Sequence, residues 1–104
     1  MFRNLINKWA GAGKFGNFAA AMDYLFRIAT YNLRYANNKD IGNLWVDRSP
    51  VVINLIRFHG FDILATQEGL KQPLDEIGKA LPYFERFGIA RDDGNETGEH
   101  CAIF

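Results

Sequence analysis

From residue 27 onward, apolar and polar positions switch between a period of two and a period near three and a half. Arg27-Ile-Ala-Thr-Tyr-Asn-Leu-Arg34 alternates, with Ile28, Thr30 and Asn32 on one side and Ala29, Tyr31 and Leu33 on the other, which predicts a strand. Tyr35 to Asn43 is polar and rich in Asn and Gly, which predicts a loop. Ser49-Pro50 then opens a helix as N-cap and first helical residue, unless Trp45 and Arg48 carry its start a turn upstream. Val52, Ile53, Leu55, Ile56 and His59 give that helix a buried face, and Gly60 ends it. The run Phe61-Asp-Ile-Leu-Ala-Thr-Gln-Glu-Gly69 is too short for a helix and predicts a buried strand. A second helix follows over Leu70 to Leu81, with Leu74, Ile77 and Leu81 on one stripe, Pro73 in its first turn and Pro82 closing it. Tyr83 to Ala90 alternates as a third strand. Arg91 to Gly98 is a charged turn with the Asp-Gly hairpin signal, and Cys101 to Phe104 reads as a fourth strand.

Residues 1–26 differ from the rest. Three basic residues and one acid give them a net +2, against −2 for the remainder. Phe2, Leu5, Ile6 and Trp9 make a short amphipathic helix of residues 2–9, and a second short helix fits residues 17–25. Between them Gly11-Ala-Gly-Lys-Phe-Gly16 matches the dinucleotide pattern in letters. No strand precedes it, and Lys14 is not followed by Ser or Thr, so it reads as a linker and not as a phosphate cradle. Residues 1–26 are therefore set apart as an extension from a domain over 27–104.

The 104 residues suffice for one modest domain, and at 48% hydrophobic and 14% aromatic they can build a core. A formal net charge of zero does not support a protein that coats nucleic acid by charge alone. A single cysteine, Cys101, excludes an internal disulfide and is expected as a small core hydrophobe. No run approaches the length of a membrane span, and the apolar stretch Phe18 to Met22 is too short for a signal sequence. The expected location is the cytoplasm, or a secreted one if this start is not the natural one.

The order β-α-β-α-β-β defines an α/β fold. The chain stops inside an apolar strand, and this order is only half of most two-layer enzyme sheets, so a fragment is expected. Its strands carry apolar side chains on both faces while two helices can cover only one. Residues 1–104 alone are accordingly expected to self-associate or to be molten.

Two polar groups stand where strands end. Asn32 is either a turn-favouring residue closing its strand or an amide that orients a phosphate or a metal-bound water. Glu68 either caps the next helix or faces water, or it is a carboxylate ligand for a hard cation such as Mg2+. Parallel strands joined by a helix would set the two side by side at the sheet's carboxyl edge, where α/β proteins bind ligands. His59, in the last turn of its helix, is expected to be structural.

With these stretches in place, the chain resembles the endonuclease/exonuclease/phosphatase superfamily, a group of metal-dependent phosphoesterases. The resemblance rests on Ala29-Thr-Tyr-Asn-Leu-Arg-Tyr35, Asn43-Leu-Trp-Val-Asp-Arg48 and Phe61-Asp-Ile-Leu-Ala-Thr-Gln-Glu68. Gln72, Tyr83, Gly88-Ile-Ala-Arg-Asp-Asp-Gly94 and Gly98-Glu99 before Ile103-Phe104 extend it over residues 27–104. It implies the N-terminal half of a four-layer αββα sandwich and hydrolysis of a phosphate ester, from nucleic acid or a small phosphorylated molecule. It further implies a Mg2+ or Mn2+ ion held by Glu68, Asn32 as a catalytic amide, and Arg91 as a donor to the substrate phosphate. Arg91 has an alternative as a surface charge paired with Asp92 or Asp93. The family's Asp-x-Asn and Asp-His pairs have no counterpart here. That departure implies a chain inactive by itself, or else a non-catalytic α/β interaction fragment that pairs an open sheet edge with another chain.

Overall fold

A computed structural model describes residues 25–104. The helices expected over 2–9 and 17–25, and the glycine-rich stretch between them, lie outside the described residues, except for Leu25. The described elements run β1 (Ile28–Asn32), α1 (Trp45–His59), β2 (Ile63–Gly69), α2 (Lys71–Ala80) and β3 (His100–Ile103). They build an α/β unit around a three-stranded mixed sheet of order β1-β2-β3. β1 and β2 are parallel, with Ile28 opposite Ile63 and Asn32 opposite Gln67. β2 and β3 are antiparallel, and their register slips between Thr66 and Gly69.

α1 takes the upstream start. Leu44 stands at its N-cap without a side-chain cap, and Ser49 and Pro50 fall inside the helix. An interior proline costs about 3 kcal/mol of helix stability. Tertiary anchors on the first turn offset it. Trp45 is buried and donates its indole N–H to Glu76 at 2.8 Å, while Arg48 reaches the loop before it. The other end behaves as the sequence predicts, with Gly60 left-handed at φ 58° and its N–H bound to the Ile56 carbonyl.

The strand alternation is borne out. Leu33, Leu64, Thr66 and Ala102 are buried with Trp45, Val52 and Ile56 of α1 and Leu74 and Ile77 of α2. The opposite alternation leaves Ile28 and Ile103 exposed, together with Phe87 and Ile89.

Three expectations fail. Leu55 and His59, read as part of the buried face of α1, are exposed, and Val52, Ile53 and Ile56 carry that face. Tyr83 to Ala90 does not form a strand but touches β3 only through isolated bridges, Phe87 to Ile103 and Ala90 to His100. Gly88 explains the interruption. It sits at φ 143°, and a Cβ there would lie 2.6 Å from the Cys101 carbonyl oxygen, so the segment meets β3 in a backbone conformation that breaks the alternation. Cys101 is exposed and not in the core, because β3 turns His100 and Ala102 inward and Cys101 outward.

Candidate active site at the carboxyl ends of two parallel strands

β1 and β2 end level, so their last side chains share one edge of the sheet. Strict alternation would carry Glu68 toward the same face as Leu64 and Thr66. The register slip prevents this. Glu68 has φ 58°, rare for a residue with a long side chain, and the twist turns its carboxylate toward β1. There Asn32 donates its amide N–H to Glu68 Oε1 at 2.8 Å, and the Tyr35 backbone N–H donates to Oε2 at 3.0 Å. Both bonds favour the ionised form. The Asn32 amide, then the Tyr35 N–H, hold the Glu68 carboxyl below its ordinary 4.5, with the Arg34 guanidinium adding to the effect and partial desolvation opposing it.

The Asn32 amide is itself fixed. Its Oδ1 accepts the Arg34 N–H at 2.8 Å, which leaves its N–H2 group facing Glu68. That turn forces Arg34 to φ 58°, the other non-glycine residue of positive φ among those described. Strain of this kind, on the order of 1–3 kcal/mol per residue, persists where the surroundings over-determine it and gathers at functional positions. Here Arg48 of α1 supplies the hold. Its guanidinium donates to the carbonyls of Leu33 (2.6 Å), Asn43 (2.7 Å) and Arg34 (3.2 Å). On the far side of Glu68, Gly69 is pinned as well. Its carbonyl accepts from the Nδ1–H of buried His100 at 3.2 Å, and a Cβ on Gly69 would fall 2.8 Å from Leu74 Cδ2.

Glu68, Arg34, Tyr35, Asn37, Lys39 and Asp40 line an open depression of about 410 Å3. The loop residues were legible in the sequence only as a polar loop. A carboxylate bonded to a backbone N–H thirty-three positions away has no local signal. Arg91, named from the sequence as a substrate donor, does not line this depression. It is exposed and pairs with Glu99 at 2.9 Å and with Asp92 at 3.4 Å. His59 is outside the depression too. It is exposed, stacks on Phe61, and its carbonyl accepts from Arg27. Among the described residues no group of three or more Asp, Glu, His or Cys side chains is arranged to hold a metal ion.

The carboxylate and the amide, hydrogen-bonded to each other, stand at the carboxyl edge of parallel strands, where open α/β sheets bind their ligands. Comparison with solved structures makes this specific. An endonuclease/exonuclease/phosphatase family protein from Bacteroides thetaiotaomicron is 43% identical, with a TM-score of 0.72 over 76% of this chain and 30% of that one. The endonuclease/exonuclease/phosphatase of Bacteroides vulgatus is 37% identical, with a TM-score of 0.73 and the same coverage. A mannosyl-6-phosphatase from Bacteroides thetaiotaomicron is 43% identical, with a TM-score of 0.73 over 77% of this chain and 31% of that one. No family model matches the sequence, and neither does any curated protein. On the identity and structural agreement, the chain belongs to the endonuclease/exonuclease/phosphatase family, and it spans about 30% of the length of the family structures it matches.

Proposed function

We propose that the domain to which this chain contributes hydrolyses phosphate esters with the help of Mg2+ or Mn2+, and that Glu68 is a ligand of that ion. The observation that carries the proposal is the Asn32–Glu68 contact, a carboxylate kept ionised by an oriented amide beside an open depression. The donor set suits such an ion in part. Mg2+ commonly takes one or two carboxylates and keeps several waters, so a single exposed carboxylate is a fitting first contribution. When bound, the ion would polarise the phosphoryl oxygen and offset the charge that develops on it. Asn32 orients Glu68 and presents its N–H2 group to the same edge, where it can also meet a phosphate oxygen. Arg91 enters this reading as a second donor to the phosphate, exchanging its Glu99 pair for substrate.

The reaction's class follows from the family, and the small monoester substrate from two further supports. One similar protein is named a mannosyl-6-phosphatase. The chain's formal net charge of zero also does not favour a polynucleotide bound by charge alone. Titration of Mn2+ into the chain is the test, followed by paramagnetic broadening of backbone amide resonances. Broadening should centre on residues 32–35 and 67–69 and vanish in Glu68→Gln. Broadening centred elsewhere, or unchanged in the variant, would remove Glu68 from the metal site.

A second reading, an interaction fragment, is favoured by one observation. Ile28, Phe87, Ile89 and Ile103 are all at least half exposed on or beside the sheet. β1 has no partner on its outer side among the described residues. Size-exclusion chromatography with light scattering decides it. On this second reading the chain self-associates through that edge, and a monodisperse monomer with a sharp thermal transition would remove it.

A further inference from the structure

We infer that Lys39 is a substrate-binding residue of this site and that it selects small phosphomonoesters, whose terminal phosphate is a dianion, over phosphodiesters. The inference rests on the phosphoesterase reading above and adds to it the residue that would make the selection.

Two cations line the depression, Arg34 and Lys39. Arg34 is committed, since its guanidinium is ion-paired with Asp40 on the same wall. Lys39 forms no ion pair among the described residues, although Asp40 beside it and four acids elsewhere hold bridges to Arg or Lys. Lys39, without an ion-pair partner among the described residues, and Glu68 thus line the same depression. The loop that carries it is built rather than loose. The Lys39 N–H donates to Asn37 Oδ1 at 2.9 Å, the Asn43 N–H to the Asp40 carbonyl at 2.9 Å, and Arg48 clamps both ends. Tyr35, half-exposed, has its backbone fixed to Glu68 and lines the same opening.

An ammonium on a long stem is a compact, strongly hydrated point charge. It gains more from a phosphate carrying close to two charges than from a diester carrying one. A depression of about 410 Å3 with a single uncommitted cation has room for one phosphorylated small molecule and offers no track of charge for a strand of phosphates. A tyrosine among the lining residues can offer a ring to the apolar side of a sugar or polyol.

The experiment measures binding by the full 104-residue chain without metal, so that it does not depend on Glu68 holding an ion. Mannose 6-phosphate, inorganic phosphate and a dinucleotide are titrated separately, followed by 31P line broadening and by amide shifts of residues 34–43. The expected result is binding of mannose 6-phosphate, weaker binding of inorganic phosphate and still weaker binding of the dinucleotide. Lys39→Ala should weaken mannose 6-phosphate about fivefold, Lys39→Glu should weaken it further, and Lys39→Arg should restore most of it. Equal affinity for the dinucleotide, binding unchanged in Lys39→Glu, or no binding by the parent chain would overturn the inference. Loss of Mn2+ broadening at Glu68 with the Lys39 effects intact would count against the metal reading alone.

Discussion

The two polar loops of the molecule are organised in opposite ways. The loop between β1 and α1 is held by partners distant in sequence, namely Glu68 of β2 and Arg48 of α1. The charged turn before β3 is held largely by itself. Asp93 Oδ1 accepts the N–H groups of Asn95 at 2.8 Å and Thr97 at 3.0 Å, and Arg91 bonds Glu99 through both backbone and side chain. The Thr97 hydroxyl, then the Thr97 and Asn95 N–H groups, lower the Asp93 carboxyl to about 2. A loop fastened to the sheet edge can fix a side chain relative to the strands. A loop closed on itself fixes mainly its own shape. The difference explains why the depression forms at the first loop, while Arg91, on the second, pairs within its own turn.

The contrast can be broken by substitution. The largest effect is expected for Arg48→Ala, which strips donors from the carbonyls of Leu33, Arg34 and Asn43 at once. A cost of about 2 kcal/mol is expected in chemical denaturation, with the amides of residues 33–43 losing protection from hydrogen exchange first. Arg48→Lys should recover little, because one ammonium cannot replace a planar fork. Gly88→Ala comes next, at roughly 1–2 kcal/mol, because its Cβ meets β3 backbone that cannot yield cheaply. It should loosen the base of the second loop and leave the Glu68 carboxyl unaltered by 13C titration.

Smaller effects sharpen the comparison. Asn32→Ala should let the Glu68 carboxyl rise toward 4.5, since the amide is the largest cause of its lowering, while Asp93→Ala should leave it in place. The converse is expected for Asp93 in a Thr97→Val chain. The sign of the pH dependence follows. Both carboxyls are lowered in the folded chain, so each stabilises above its ordinary value and loses that contribution as pH falls through the folded one. For Asp93 the window runs from 3.8 down to about 2, and for Glu68 it opens below 4.5. Acid melts should therefore shift less in Asn32→Ala than in the parent as pH falls below 4.5. An identical acid response would show that the Asn32–Glu68 bond contributes nothing to the fold.

The same division governs what the sequence discloses. β1, α2, the left-handed end of α1 and the charged turn are all written in adjacent residues, by alternation, by a stripe, by glycine and by Asp-Gly. Asn32 and Glu68 were legible as strand ends and become neighbours through the parallel register. What stayed hidden depends on distant partners. The start of α1 is decided by Trp45 on Glu76, against the local preference of Ser49-Pro50. The twist at Glu68 depends on the slip against β3, and the exposure of Cys101 on which side of β3 faces the helices. The interruption after Tyr83 was visible only as a glycine, and its cause is backbone from β3.

The partners in the Asn32–Glu68 bond lie thirty-six residues apart, across a parallel crossover that includes all of α1. Pairing of that kind closes a long loop before any contact rewards it, and so tends to form late in folding. The Asp93 turn spans only four residues between its bonded groups and can close on its own much sooner. In time, then, the chain assembles its decoration before its chemistry. The lowered carboxyl of Glu68 becomes a clock mark, because it can appear only once α1 has been laid across the sheet and the two strands have met.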